Sequence, residues 1–238
     1  MSEDLAWLGI RWQEGPDLGG PFAPYAQSER IDHYCAIWLA LLQKGAIYPC
    51  RCSRKHLERA PQAPHESTQG ENAAEDDEPI YPGTCRPTPG AKEWFKPRDP
   101  PTPAGVNWRF RVPDGESIEF HDQHFGPQRF VAGRDFGDFL VWRRDDVPAY
   151  QLAVVADDAA MQITEVVRGA DLIKSTARQI LIYRTLGPTP PLWYHCSLLT
   201  DSSGQRLAKR HDALALRTLR QQGVRPEEIL AAGFSSPR

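Results

Sequence analysis

The sequence predicts an α/β protein interrupted by a strand-rich module that carries cysteines, and three observations support this. Two apolar runs, Leu152 to Ala156 and Ile163 to Val167, have the composition of mostly buried strands of the kind found in parallel sheets. Behind them, Thr176-x-x-Gln179 reads as a capping box opening a helix, and Gly187-Pro188 as its stop. Upstream, Val106, Trp108, Phe110 and Val112 alternate with Asn107, Arg109 and Arg111, which marks a half-buried strand of period two.

Taken in order, the first clear element is a helix from about Glu29 to Lys44. Ser28 is its expected N-cap, Gly45 its stop, and Tyr34, Ile37, Trp38, Leu41 and Leu42 share its apolar face. Ile47 to Cys52 follows, then a short helical piece near Arg54 to Arg59. The segment 60–79 is rich in Pro, Glu, Asp, Gln and Asn. With so few apolar residues to offset its ordering entropy, it reads as a disordered insertion. Pro87 to Ala104 is a Pro-rich loop or linker. Ile118 to His121 and Phe139 to Trp142 are further short strands, so the region from about Cys50 to Arg144 is rich in strands. Arg168-Gly-Ala-Asp-Leu172 falls where a strand ends, the usual place for ligands in such sheets. Asp212 to Gly223 and Pro226 to Ala232 are expected helices.

Composition narrows the function. With 238 residues, 40% hydrophobic and 25% charged, the chain can bury a full core. No apolar run approaches the roughly 20 residues that span a bilayer, and Met-Ser-Glu-Asp does not open a signal peptide, so no membrane partner and a cytoplasmic location are expected. A net charge of −3 gives no overall attraction to nucleic acid, which would have to be met by a local basic surface. Arg51 to Lys55 and Arg206 to Arg225 are the candidates, with Arg217, Arg220 and Arg225 as a weak helix face.

Five cysteines in a chain of this size point to reduced or metal-bound thiols rather than to disulfide staples. Cys50-x-Cys52 followed by Tyr81-Pro-Gly-Thr-Cys85 offers three thiolates and a phenol oxygen, enough to close a tetrahedral zinc shell. His56 and His65 compete with Tyr81 for the fourth place, and plain reduced thiols remain the alternative. Asp201-Ser-Ser-Gly-Gln-Arg-Leu-Ala-Lys-Arg210 joins turn residues to the cations Arg206, Lys209 and Arg210. It suits either a grip on a polyphosphate or a solvated basic turn.

Four segments together carry a family resemblance. They are Tyr48-Pro-Cys-Arg-Cys-Ser-Arg54 with Tyr81-Pro-Gly-Thr-Cys-Arg86, Ala149-Tyr-Gln-Leu-Ala-Val-Val-Ala-Asp-Asp158, Val167-Arg-Gly-Ala-Asp-Leu172, and Gly204-Gln-Arg-Leu-Ala-Lys-Arg210. In order and spacing they resemble the glutamyl-queuosine tRNA(Asp) synthetases, truncated paralogues of class I glutamyl-tRNA synthetases. The resemblance implies a Rossmann-type class I aminoacyl-tRNA synthetase catalytic domain, interrupted by a zinc-bearing acceptor-stem-like subdomain. Residues 1–49 would be the remainder of the first Rossmann half, 50–144 the inserted subdomain, and 145–238 the second half with a KMSKS-like loop and C-terminal helices. The implied reaction activates glutamate with ATP and Mg2+ and transfers it to queuosine at the wobble position of tRNA(Asp). A monomer is expected.

Residue by residue, the resemblance makes Tyr150 and Arg168 the glutamate contacts, a role their hydroxyl and planar fork also suit. Lys209 matches the catalytic lysine of the KMSKS loop, with Arg206 and Arg210 beside it on ATP. Arg206 stands for the leading lysine, and Ala208 for the serine, which removes a hydroxyl. Cys50, Cys52, Tyr81 and Cys85 fall on the zinc positions. The family's opening Arg-Phe-Ala-Pro-Ser-Pro-Thr-Gly turn, HIGH-type signature and Arg-Ile-Glu-Asp element do not occur in the sequence, so the expected domain is incomplete at its N-terminus and its activity impaired. The rival readings are an ordinary glutamyl-tRNA synthetase and a non-catalytic tRNA-binding module. Only 210–238 follows the loop, too little for the helical anticodon-binding domain of the first rival.

Overall fold

The computed structural model describes residues 2–52, 80–88, 101–198 and 216–234. The chain forms two compact units, Met1–Tyr25 with Leu198–Arg238, and Ala26–Ser197. The helices are α1 (Ser2–Trp7), α2 (Ile31–Gln43), α3 (Tyr150–Ala160), α4 (Ile173–Leu186), α5 (Leu216–Gln221) and α6 (Pro226–Phe234). The strands are β1 (Ile47–Cys50), β2 (Asn107–Phe110), β3 (Ser117–Asp122), β4 (Gly126–Val131), β5 (Phe139–Trp142), β6 (Glu165–Gly169) and β7 (Leu192–Cys196).

In the first unit, Arg220 of α5 pairs with Asp4 of α1 at 3.2 Å and with Glu3 at 3.4 Å. Arg225 pairs with Glu228 at 2.8 Å. Two of the three arginines expected to form a basic face are therefore already partnered by carboxylates. Arg217 of that face is exposed.

The second unit holds two sheets. In the three-stranded one, β2 lies between β1 and β5, antiparallel to both. In the four-stranded one the order is β4-β3-β7-β6, with β7 parallel to β3 and β6, and β4 antiparallel to β3. The expected α/β architecture with a parallel sheet is thus present. Strands β3 and β4, from within the segment 50–144, share a sheet with β6 and β7.

Helix α2 buries Tyr34, Trp38 and Leu41 as its periodicity predicted, and Gly45 follows it at φ 67°, a left-handed conformation that glycine adopts without strain. Trp38 meets Trp108 of β2 edge-on at 4.9 Å, and Phe110 stacks on Phe139 at 5.2 Å. These aromatic pairs join helix and sheet into one core. Arg30, not Ser28, occupies the N-cap of α2, because Ser28 lies in a 3-10 turn, Gln27–Glu29, that precedes it.

The run Leu152 to Ala156 lies inside helix α3, not a strand, with Leu152, Ala153, Val155 and Ala156 buried at helical spacing. A short apolar run has no periodicity with which to separate a buried strand from a buried helix. Helix α4 begins at Ile173, three residues before the expected capping box, and ends at Gly187 as predicted, with φ 102°. Strand β6 is at the sheet edge and Val167 is 63% exposed, so the run Ile163 to Val167 is not mostly buried. Arg109, expected on a polar face, is buried because β2 is a central strand covered on both sides. The expected helical piece at 54–59 and the insertion 60–79 lie outside the described residues.

Candidate functional site

Parallel strands β6 and β7 end side by side, Arg168 opposite His195 and Gly169 opposite Cys196. Arg168 extends its guanidinium back over the first turns of α3 and α4. Its NH1 donates to the Tyr150 hydroxyl at 3.4 Å, its NH2 to Thr176 Oγ1 at 2.7 Å and to the Leu172 carbonyl at 3.4 Å, and its Nε to His195 Nε2 at 3.1 Å. Tyr150 and Arg168, expected to act together, are brought together here. Tyr150 is 47% exposed, so this edge of the fork faces outward.

Behind the fork stand two residues that the sequence did not single out. His195 is fully buried, and its Nδ1 donates to Asp122 Oδ2 at 2.6 Å. Asp122, also fully buried, accepts the N–H groups of His124 at 3.1 Å and Phe125 at 2.8 Å on its other oxygen. Burial opposes ionisation of Asp122, but the Phe125 N–H, His195 and the His124 N–H outweigh it and hold the carboxyl below its ordinary value. Burial pulls His195 below the ordinary imidazole value; Asp122 resists this and the Arg168 charge reinforces it. His195 is therefore a neutral imidazole that donates through Nδ1 and accepts through Nε2. No local pattern announces the pair, since 73 residues separate its members.

Asp158 on α3 adds a titratable group beside the fork. Burial pushes its carboxyl up to about 6, the neighbouring Asp157 adds to that, and Arg168 opposes it. An acid with a raised folded-state value contributes stability that is complete below about pH 4 and lost as the pH rises through about 6. Asp158→Asn should remove this contribution, so its unfolding midpoint should gain on that of the parent as the pH rises through that window, while buried His195, whose contribution runs the other way, is common to both proteins. Parallel urea titrations of the two proteins at several pH values would check this, and equal slopes would refute it.

A second cluster lies at the end of β1. The sulfurs of Cys50, Cys52 and Cys85 lie within 4.8 Å of one another. The Tyr81 hydroxyl stands 3.4 Å from Cys50 Sγ and 3.6 Å from Cys52 Sγ, and Cys52 Sγ lies 3.6 Å from Cys85 Sγ. A tetrahedral zinc shell with bonds of about 2.3 Å sets its sulfurs roughly 3.8 Å apart, so these side chains fit such an ion. Cys50 and Tyr81 are buried. The Cys85 N–H donates to the Tyr81 oxygen at 2.7 Å, and the Arg109 guanidinium lies 4.1 Å over the Tyr81 ring, fixing the phenol among the thiols. The competing ligands His56 and His65 lie outside the described residues.

Asp138 braces this cluster from below. It accepts from the Tyr48 hydroxyl at 2.5 Å and the Val112 N–H at 2.8 Å, while its carbonyl takes Arg109 NH1 at 2.7 Å. Gly137 beside it lets the chains approach, since a Cβ there would sit 2.9 Å from Ile80 Cγ2 and 3.0 Å from the Tyr81 nitrogen. Gly137→Ala must push the Tyr81 backbone away and is expected to cost about 1–3 kcal/mol, read as a lower urea midpoint. An unchanged midpoint would show that the approach is not tight.

Lys209, Arg206 and Arg210 lie outside the described residues. Among the described residues, no helix is long and apolar enough to cross a membrane.

The family described as tRNA synthetases class I (E and Q), catalytic domain, matches residues 1–234. A glutamyl-Q tRNA(Asp) synthetase of Symbiobacterium thermophilum is 47% identical over 95% of this chain and 67% of its own length. One from Nitratidesulfovibrio vulgaris is 47% identical over 93% of this chain and 64% of its own. A glutamate–tRNA ligase of Halorhodospira halophila is 40% identical over 95% of this chain and 45% of its own length. Among solved structures, the glutamate-tRNA synthetase of Elizabethkingia anophelis superposes with a TM-score of 0.67 at 28% identity, covering 90% of this chain and 42% of that one. The chain thus spans about two thirds of the length of its glutamyl-Q relatives and less than half of the glutamate–tRNA ligase.

Proposed function

Because the chain belongs to the class I tRNA synthetase (E and Q) catalytic-domain family, whose members are enzymes of the aminoacyl-tRNA ligase type, we propose that it serves ATP-dependent activation of glutamate and its transfer to queuosine in tRNA(Asp). The observation that carries the proposal is the outward edge of the Arg168 guanidinium, next to Tyr150, at the carboxyl ends of β6 and β7. A carboxylate can replace the long contacts of NH1 and NH2, both 3.4 Å, and take two parallel charge-assisted bonds in their place. Tyr150 would add a hydroxyl donor or acceptor to the same ligand.

In this reading Lys209, with Arg206 and Arg210, neutralises the phosphates of ATP as pyrophosphate leaves glutamyl-adenylate. Cys50, Cys52, Cys85 and Tyr81 would hold one structural zinc, which supplies a fixed crosslink within segment 50–144 and takes no part in the chemistry. That segment is the part we assign to contact with tRNA, and we place the protein in the cytoplasm. The preference for queuosine over ordinary charging of tRNA(Glu) rests on the two relatives named glutamyl-Q tRNA(Asp) synthetase. Glutamylation should therefore be compared on tRNA(Asp) with and without queuosine and on tRNA(Glu). Transfer only to the queuosine-bearing tRNA is expected. Equal transfer to both forms of tRNA(Asp), or transfer to tRNA(Glu), would overturn the assignment.

A further inference from the structure

We infer that His195 and Asp122 are positioning residues for Arg168, forming a buried relay in which the carboxylate sets the imidazole and the imidazole sets the guanidinium that reads the substrate carboxylate. This rests on the proposed role of Arg168. The geometry is a continuous line of hydrogen bonds across three neighbouring strands: Asp122 Oδ2 on β3 to His195 Nδ1 on β7 at 2.6 Å, and His195 Nε2 to Arg168 Nε on β6 at 3.1 Å. The backbone N–H of His195 also reaches Asp122 Oδ2 at 3.2 Å, so the carboxylate holds both the chain and the ring.

Two features separate this from an ordinary core histidine and from a catalytic one. His195 and Asp122 are both at 0% exposure, and both ring nitrogens are taken by Asp122 and Arg168, with Thr176 Oγ1 3.3 Å from Nε2. Buried and with both nitrogens occupied, the ring offers no free nitrogen to a substrate. Yet its accepting nitrogen points at the group that is proposed to bind the substrate. An Arg fork has five donors in a fixed plane, so fixing Nε fixes the direction in which NH1 and NH2 point. Thr176 secures NH2 in the same plane at 2.7 Å.

The two amide substitutions divide the imidazole's roles. His195→Gln places an acceptor near the position of Nε2, and His195→Asn keeps a donor near the position of Nδ1. Glutamate affinity of the full chain, measured by calorimetry, should weaken about tenfold or more in His195→Asn, the scale of one charge-assisted hydrogen bond, and recover to within about threefold of the parent in His195→Gln. Equal weakening in both variants would reduce His195 to a packing role, and no weakening in either would overturn the inference outright. Arg168→Ala is the control that separates the two ideas. If it leaves glutamate binding intact, the reading of Arg168 fails; if it abolishes binding while both His195 variants bind normally, only the relay fails. A readout independent of glutamate is the nitrogen-15 spectrum. The neutral Nδ1–H tautomer of His195 and a slowly exchanging Arg168 Nε–H are expected in the parent, with slow exchange retained in His195→Gln and lost in His195→Asn. An Nε2–H tautomer in the parent would overturn the relay.

Discussion

Replacing Asp157 with alanine is expected to cost the Ala26–Ser197 unit about 3–5 kcal/mol of stability. Asp157 projects from α3, 15% exposed, and gathers the start of α2 onto it. Arg30 Nε donates to it at 2.7 Å, the Tyr34 hydroxyl lies 2.8 and 3.0 Å from its two oxygens, and Gln27 Nε2 donates at 3.3 Å. Arg30 is 9% exposed and Tyr34 fully buried, so alanine would remove an acceptor from a guanidinium and a hydroxyl that are largely shielded from water. Removing one member of such a pair costs more than the pair contributes, because the other stays desolvated. Urea unfolding should show a lower midpoint at an unchanged slope. Asp157→Asn keeps an acceptor for Tyr34 and should lose about half as much. A loss below about 1 kcal/mol for alanine would mean that the start of α2 is held by other contacts.

The same residue marks the limit of what the sequence disclosed. Asp157 and Asp158 directly follow the run Leu152 to Ala156, and reading that run as a strand leaves open the side each acid faces. As a strand, residues 152–156 would alternate sides. As helix α3 they bury Leu152, Ala153, Val155 and Ala156, place Asp157 on α2, and put Asp158 near Arg168. Helix α2 was legible because thirteen residues show a full apolar period, and β5 because a dense apolar run has no competing pattern. Strand β4 was not, since all of its residues are half-buried or exposed and Pro127 weakens the signal. Strand β7 had a signal, aromatic residues bounded by Pro188, Pro190 and Pro191, that could have found it.

At the candidate site the division follows residue type. Cys50, Cys52, Tyr81 and Cys85 assemble although 29 residues separate Cys52 from Tyr81, because cysteines are few and conspicuous in the sequence. Tyr150 and Arg168 meet as expected. Asp122 and His195 were missed because what joins them is sheet order, β3 beside β7 beside β6, and no window of sequence contains it. The strong burial of Arg109 was missed for a related reason. An arginine between Trp108 and Phe110 looks outward until the Tyr81 ring and the Asp138 carbonyl are found on that side.

Arg168→Lys is expected to lower kcat/KM for glutamate by about 10²–10⁴, nearly as much as Arg168→Ala, if the proposed reading of the site holds. Both substitutions remove the bidentate fork, and two charge-assisted hydrogen bonds at about 1.5–3 kcal/mol each set that range. Lysine keeps the charge, and long-range attraction for a carboxylate with it. It has no plane, however, and its single ammonium cannot serve His195, Thr176 and Tyr150, which Arg168 reaches from Nε, NH2 and NH1. The expected pattern is therefore a raised KM for glutamate in glutamate-dependent ATP–pyrophosphate exchange, with the KM for ATP little changed, since the phosphates are assigned to Lys209, Arg206 and Arg210. If lysine restores most of the glutamate KM, Arg168 acts as a point charge, and the fixed direction of its fork, together with the relay behind it, has no functional weight. If both substitutions leave the glutamate KM untouched, the carboxylate is read elsewhere.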